Sequence, residues 1–387
     1  MQEHQYAKAD NLYYCLEQNP IVLAWVLFFT KSSLDPVFKP YQPIIRHKFL
    51  RRSKNQYQFL KARLRKLIVL LLYKYHLRRS ESSIMLPVYG HICKPAHKGY
   101  KVFDFRRKRV VKIFDHNVDR QSVESEIDKL RAILQINFAP SIRKWNIEEH
   151  WYEEDYISGF PDVDRSYKPI LDSPTLKERF GQDIAPCIET IMLFQKPLKK
   201  ELQIYTDEIT MALKDTSLYQ EKVESDEIYK IRRFVDSIIE QLNAMPDCSV
   251  CLLFTHGDFC SANILNAHDN IKIIDWEHAT YRSALFDFYS YFFYRPYRYK
   301  ISTDDMASEV NTLLPIFISQ LSTKASAITD SIASLQKVYR WLYYIERISM
   351  LLEREMTDAN LNIKERILRF IEMYQEYEIL SSDNVKQ

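Results

Sequence analysis

Between residues 84 and 114 apolar and polar positions alternate over short runs, and this period of two predicts three strands, at residues 84–89, 100–105 and 109–114. Polar Arg106-Arg107-Lys108 joins the last two, and the glycine-free segment 91–98 reads as the turn between the first two. From 121 to 136 the period lengthens to that of a helix, with Val123, Ile127, Leu130, Ile133 and Leu134 on one stripe. Strands are expected again at 142–145 and 150–157. Further on, two apolar runs, 252–254 and 271–274, each lead into a turn that carries an aspartate. Two aromatic-rich stretches, 288–299 and 341–347, repeat at helical spacing, as do the apolar positions from Phe59 to Tyr75. Strands first and helices afterwards make an α+β fold, with a basic, helical extension over 1–80, a strand-rich lobe over 81–160 and a mainly helical lobe over 161–387.

Length and composition agree with two lobes. At 387 residues the chain exceeds what one core usually holds, and 46% apolar with 27% charged residues exclude a disordered or fibrous chain. The five glycines (Gly90, Gly99, Gly159, Gly181, Gly257) are too scattered for a Rossmann or Walker phosphate loop, and neither motif occurs. Six sparse cysteines and the lack of a signal-peptide pattern read as reduced thiols in a cytoplasmic protein. Cys248-Ser249-Val250-Cys251 lacks the second pair that a zinc site needs. The longest apolar runs, 21–29 and 67–73, fall short of the roughly 20 residues that cross a bilayer.

Candidate chemistry starts at Lys112, inside a predicted strand and flanked by Val111 and Ile113, which point the other way. The helix after it carries Glu124 and Glu126. A strand lysine fixed by a helix glutamate is how kinases hold the α and β phosphates of ATP. Downstream, His256-Gly257-Asp258-Phe259-Cys260-Ser261-Ala262-Asn263 has H-x-D-x-x-x-x-N spacing, and Asp275 follows twelve positions later at the end of Ile273-Ile274. Phosphoryl transfer needs that set: an aspartate to accept the proton of the attacking hydroxyl, and an amide and a second carboxylate to hold a hard divalent cation on the phosphates.

Through that octapeptide with Ile264-Leu265, together with Ile274-Asp275-Trp276-Glu277 and Ala284-Leu285-Phe286-Asp287-Phe288, the sequence resembles the aminoglycoside phosphotransferase and choline kinase superfamily over residues 84 to about 300. The resemblance implies a bilobal protein-kinase-like fold and a phosphotransferase that uses ATP and Mg2+ and has an alcohol group as acceptor. It implies Asp258 as catalytic base, Asn263 and Asp275 as magnesium ligands, and Lys112 as the phosphate-binding lysine. Glu126, in a run similar to the family's E-x-x-x-L-x-x-L, is its chosen partner, with Glu124 kept open. His256 and Asp287 are implied to support the loop. By order along the chain, main-chain groups of Asp155, Tyr156 and Ile157 meet the adenine edge. The chain departs from the family in segment 91–98, where Lys94 or Lys98 stands as a substitute phosphate contact and the choice of ATP over GTP is open.

The net charge of +3 conceals an asymmetry, because residues 31–80 hold fourteen Lys or Arg and one acid, Asp35. Residues 46–79 carry twelve of those bases and no acid, interleaved with apolar positions, a pattern that suits an anionic membrane surface. Packing onto the protein itself is the alternative reading. Nucleic acid is disfavoured, since the rest of the chain is acidic and no reader motif occurs. The expected location is the cytoplasm, peripheral on the inner face of the membrane. Asp-Trp-Glu followed by the apolar-Asp segment is similar to family members associated with bacterial surface polysaccharides, so the expected acceptor is a small molecule or a glycan, including a lipid-linked sugar. Choline, ethanolamine and aminoglycosides are the alternatives, with the two aromatic stretches read either as acceptor-stacking surface or as core. A nucleotide-binding scaffold without transfer is the alternative of another class.

Overall fold

A computed structural model describes residues 3–9, 12–19, 22–23, 83–161, 168–220, 225–267, 270–299, 301–322, 326–355 and 363–383. The basic stretch 46–79, with its expected helix and membrane face, lies outside the described residues, as does the expected boundary near residue 80. The chain divides into two compact units, Met1–Asp164 with Ile264–Ile274, and Arg165–Asn263 with Asp275–Gln387.

The first unit is built on an antiparallel sheet of eight strands in the order β3-β1-β2-β4-β5-β6-β8-β7. In chain order these are β1 (His4–Ala9), β2 (Leu12–Cys15), β3 (Ser83–Leu86), β4 (Ile92–Ala96), β5 (Gly99–Asp104), β6 (Arg109–Phe114), β7 (Ile142–Asn146) and β8 (Trp151–Asp155). Alternation sorts its side chains into two apolar layers. Ile92, Phe103 and Val110 join Leu12, Tyr14 and Leu23 on one side, while Cys93, Val102 and Val111 join Tyr6, Cys15 and Leu86 on the other. Helix α1 (Arg120–Ala132) starts where the Asp119 carboxylate accepts the Ser122 N–H, and it buries Val123, Ile127 and Leu130. A smaller sheet sets β12 (Ile264–Ala267) between β9 (Phe160–Pro161) and β13 (Asn270–Ile273).

Three expectations change. Residues 4–15, placed in a helical extension, form β1 and β2 instead, where Tyr6 and Ala7 are fully buried and pair with β3, more than 70 residues later. Segment 91–98, read as a turn, contains β4; its Pro95 lies opposite Tyr100, and only His97 and Lys98 make the turn into Gly99. That two-residue turn needs the left-handed φ of +59° at Lys98 and +152° at Gly99, where a Cβ would collide with the Ile113 carbonyl. The hairpin 264–274, expected within the helical lobe, counts with the first unit.

The second unit is mainly helical, so the α+β architecture, strands first and helices afterwards, holds. Its small sheet places β11 (Ser249–Thr255) between β10 (Leu198–Glu201) and β14 (Thr280–Ser283). Around it pack α2 (Leu202–Lys214), α3 (Asp226–Asn243), α4 (Phe286–Tyr299), α5 (Thr303–Ser322), α6 (Gln336–Glu355) and α7 (Ile363–Asp383), with shorter helical turns between them. The aromatic stretches resolve largely as core. Phe288, Tyr289, Phe292 and Phe293 of α4 and Tyr343 and Tyr344 of α6 are buried, and Tyr344 stacks on Tyr374 of α7 at 4.1 Å between ring centroids. Among the described residues no helix is long and apolar enough to cross a membrane.

Candidate active site

In the first unit, Lys112 is fully buried on β6, and its Nζ donates to Glu126 Oε1 at 2.8 Å. Tyr152 of β8 donates its hydroxyl to the same oxygen at 3.1 Å, and the Phe114 ring lies 4.9 Å from the ammonium. Glu126 therefore makes this pair, while Glu124 faces solvent one helical step away. Strand register adds a feature that linear reading does not show: Lys94, Lys101 and Lys112 are direct cross-strand neighbours, a row of three amines on one face, with Tyr152 next in line. Lys94 is exposed and Lys101 is buried. Like charges directly opposite one another repel, so this face favours an anion. Lys98 points its Nζ to Ser122 Oγ at 3.3 Å, near the start of α1.

Of the main-chain groups expected at an adenine edge, two donors are committed within the unit. The Asp155 N–H bonds the Ser141 carbonyl and the Tyr156 N–H the Lys108 carbonyl, each at 3.0 Å. The Asp155 carboxylate accepts from Arg143 at 2.5 Å, and the Tyr156 ring packs edge-on against Phe105. Ile157 follows in irregular chain.

In the second unit, the buried strand β11 delivers the loop from His256 to Asn263. Asp287, at the start of α4 and 1% exposed, grips it: Oδ2 accepts the His256 N–H at 2.6 Å and Oδ1 the Gly257 N–H at 3.0 Å. Burial pushes the Asp287 carboxyl up to about 6, against the pull of those two N–H groups and of Arg282. The His256 ring faces Trp276 at 4.6 Å, and its Nδ1 accepts the Asp258 N–H at 3.2 Å, which places the neutral ring's proton on Nε2. Gly257 turns the loop at φ +83°, where a Cβ would collide with the His278 carbonyl. Asn263 closes the loop by donating Nδ2 to the Asp258 carbonyl at 2.9 Å, with a longer approach of 3.4 Å to Oδ2. Cys260, fully enclosed in this loop, has its thiol pushed up to about 12 by burial and by the Asp258 charge, so it is no nucleophile.

Asp275 precedes the short turn Trp276–His278 in a left-handed conformation, φ 68° and ψ 54°, which a non-glycine residue holds only at a cost of order 1 kcal/mol or more. Arg282 on β14 ties the following chain to β11, donating Nη1 to the His278 carbonyl at 2.8 Å and to Thr255 Oγ1 at 3.0 Å. Asn263 spends an amide N–H on the Asp258 carbonyl, which leaves its side-chain oxygen outside that bond; an amide oxygen and the carboxylate of Asp275 are of the donor type that suits Mg2+. Among the described residues no group of three or more His, Cys, Asp or Glu is arranged to hold a metal ion.

One residue was missed. Arg347, on α6 and 3% exposed, sets Nη2 3.0 Å from Asp258 Oδ1 and Nη1 3.4 Å from the Gly257 carbonyl. Its neighbour Glu346 holds β14, accepting the Ser283 N–H at 2.8 Å and hydroxyl at 2.5 Å. The available signal was a pair of opposite charges inside an otherwise aromatic and apolar helical run.

Residues 171–317 match the family model for choline/ethanolamine kinase. The resemblance to choline kinases is borne out over that segment, which is under half of the chain and contains Asp258, Asn263, Asp275 and Asp287 but not Lys112, Glu126 or Arg347. A search of curated proteins finds no match. Similar solved structures include a choline kinase from Streptococcus pneumoniae, at 16% identity and a TM-score of 0.47 over 72% of this chain and 90% of that one. A choline kinase from Cryptosporidium parvum Iowa II aligns at 14% identity and 0.48 over 77% and 89%. A thermostable mutant of an aminoglycoside phosphotransferase aligns at 13% and 0.44 over 76% and 90%.

Proposed function

We propose that the protein is an ATP-dependent phosphotransferase that moves the γ-phosphoryl group to a hydroxyl of a small molecule or glycan. The observation that carries this reading is the built loop: Asp258 is held by Asn263 through its carbonyl, by His256 through its N–H, and by Asp287 through the two residues before it. Such a lattice fixes the backbone that carries the carboxylate, and a general base needs a fixed position. The acceptor hydroxyl gives its proton to Asp258 while its oxygen bonds to the γ-phosphorus. The bond from that phosphorus to the β–γ bridging oxygen breaks, and ADP leaves. Lys112, oriented by Glu126, carries positive charge toward the phosphates, and the row with Lys101 and Lys94 supports an anion there. Asn263 and Asp275 would hold Mg2+, which neutralises charge on the phosphate oxygens when bound. The remaining peptide groups of residues 155–157 are the proposed contact for the adenine edge.

The acceptor class includes choline and ethanolamine, after the matched family, aminoglycosides, and the lipid-linked or polysaccharide sugars suggested by Asp275-Trp276-Glu277. The basic stretch 46–79 supports a peripheral site on an anionic membrane. Magnesium-dependent ATP consumption across these acceptors, with Asp258→Asn as control, tests the assignment. Turnover by the wild type that is lost in the variant is expected, and equal turnover by both refutes it. Flotation with anionic and neutral vesicles tests the membrane reading, which fails if lipid charge makes no difference.

A further inference from the structure

We propose that Arg347 is the positioning residue of the catalytic carboxylate, a clamp on Asp258 supplied by a helix 89 positions downstream. This inference rests on the reading of Asp258 as general base. Two contacts define the clamp. Nη2 engages Asp258 Oδ1 at 3.0 Å, and Nη1 reaches the Gly257 carbonyl at 3.4 Å, so one guanidinium holds both the side chain and the backbone of the loop. A planar fork fixes the rotation of a carboxylate in a way a point charge does not.

The guanidinium is itself fixed. Its carbon lies 5.8 Å from the Phe370 ring centroid, within the aromatic packing of α4, α6 and α7; burial pulls its pKa down, but Asp258, Tyr343 and Tyr374 together raise it. Burial is uneven across the pair, 3% exposure for Arg347 against 18% for Asp258. The cost of desolvation therefore falls on the arginine, and its Nε–H has no hydrogen-bond acceptor among the described residues. A buried ion pair with an unsatisfied donor is a poor stabiliser, and apolar replacements at such positions are often tolerated. What the arginine does achieve is geometry. The loop contacts of His256 and Asp287 fix backbone, whereas Arg347 Nη2 at 3.0 Å engages the carboxylate itself more closely than Asn263 Nδ2 at 3.4 Å.

Arg347→Met and Arg347→Lys test the clamp, with kcat and KM measured separately on whichever acceptor supports turnover. A displacement of about 1 Å costs on the order of 100-fold, so Arg347→Met is expected to lower kcat by about that factor while KM for ATP stays within about threefold. Arg347→Lys, which keeps the charge but loses the fork, is expected to fall between Met and wild type, and it carries the test if the methionine variant does not fold. Adding Arg347→Met to Asp258→Asn is expected to cause no further loss, because both act through one carboxylate, whereas a merely structural role would lower the residual rate again. The clamp is overturned if Arg347→Met keeps kcat within twofold of wild type, if the loss lies wholly in KM for ATP, or if the two substitutions multiply. Failure of the underlying reading looks different: Asp258→Asn alone would then turn over like the wild type.

Discussion

Replacing Asp287 by asparagine separates what the buried carboxylate costs from what it does. Asp287 is almost wholly buried and accepts two backbone N–H groups, yet its pKa stands at about 6 against an ordinary 3.8. A shift of about 2 units corresponds to about 3 kcal/mol by which burial disfavours the ionised form. Since the folded pKa is raised, the native state binds the proton more tightly than the unfolded chain. The cost is fully present above pH 6 and is relieved as pH falls from 6 toward 4, with about 1.4 kcal/mol recovered by pH 5. Asparagine removes the charge but offers one acceptor oxygen where two N–H groups point, a loss of about 1.5–3 kcal/mol. At pH 7.5 the two effects nearly cancel, and Asp287→Asn is expected to match wild-type stability within about 1–2 kcal/mol. At pH 5 the variant should fall behind by about a further 1.4 kcal/mol. Denaturant melts of both proteins from pH 5 to 8 measure this, and the difference between them cancels other titrations. His91 is one such group, since burial lowers its pKa and acid weakens the fold below about pH 6.5. If the difference stays flat with pH, the buried-anion account of Asp287 is wrong. If kcat is also unchanged, the grip on the catalytic loop is irrelevant to turnover.

Two further substitutions probe single contacts. Gly257→Ala forces a Cβ into the His278 carbonyl at positive φ, so a loss of at least 1–3 kcal/mol is expected in denaturant melts, together with a fall in kcat. Glu126→Gln leaves the buried Lys112 ammonium without that counter-charge; a loss of about 3 kcal/mol and weaker ATP binding by calorimetry are expected, and an unchanged melt would show that the pair is not carrying the charge.

What could be read from linear sequence was whatever is local. The loop from His256 to Asn263 is set by eight consecutive residues, and α1 by a stripe within sixteen. The amphipathic helix begins and ends near its expected limits, with the last turn, Ile133–Gln135, tightening to a 3-10 form. Elements whose cause is distant were illegible. Strand β1 exists because Tyr6 and Ala7 find β3 across the whole extension, and nothing within residues 4–9 demands it. Strand β4 was hidden by Pro95 and by lysines that read as a solvated turn, although one of them, Lys94, lines a sheet face through register. Arg347 looked like one charge among aromatics, since its partner Asp258 lies 89 positions upstream. The lysine row likewise appears only once three strands are aligned, because Lys94, Lys101 and Lys112 share no spacing that marks them in a chain.

The hairpin β12–β13 bears on how such a protein can be cut or recombined. Its strand β12 completes the ladder begun by β9, Ile273 donates to the Phe138 carbonyl, and Lys272 reaches the Asn137 carbonyl at 2.5 Å. A fragment ending at residue 164 would forfeit all three interactions and leave the edge of β9 open to self-association. Chimaeras that exchange the second unit with that of a relative must therefore splice at three places, keeping residues 264–274 with the first unit, even though that insert is bracketed by Asn263 and Asp275.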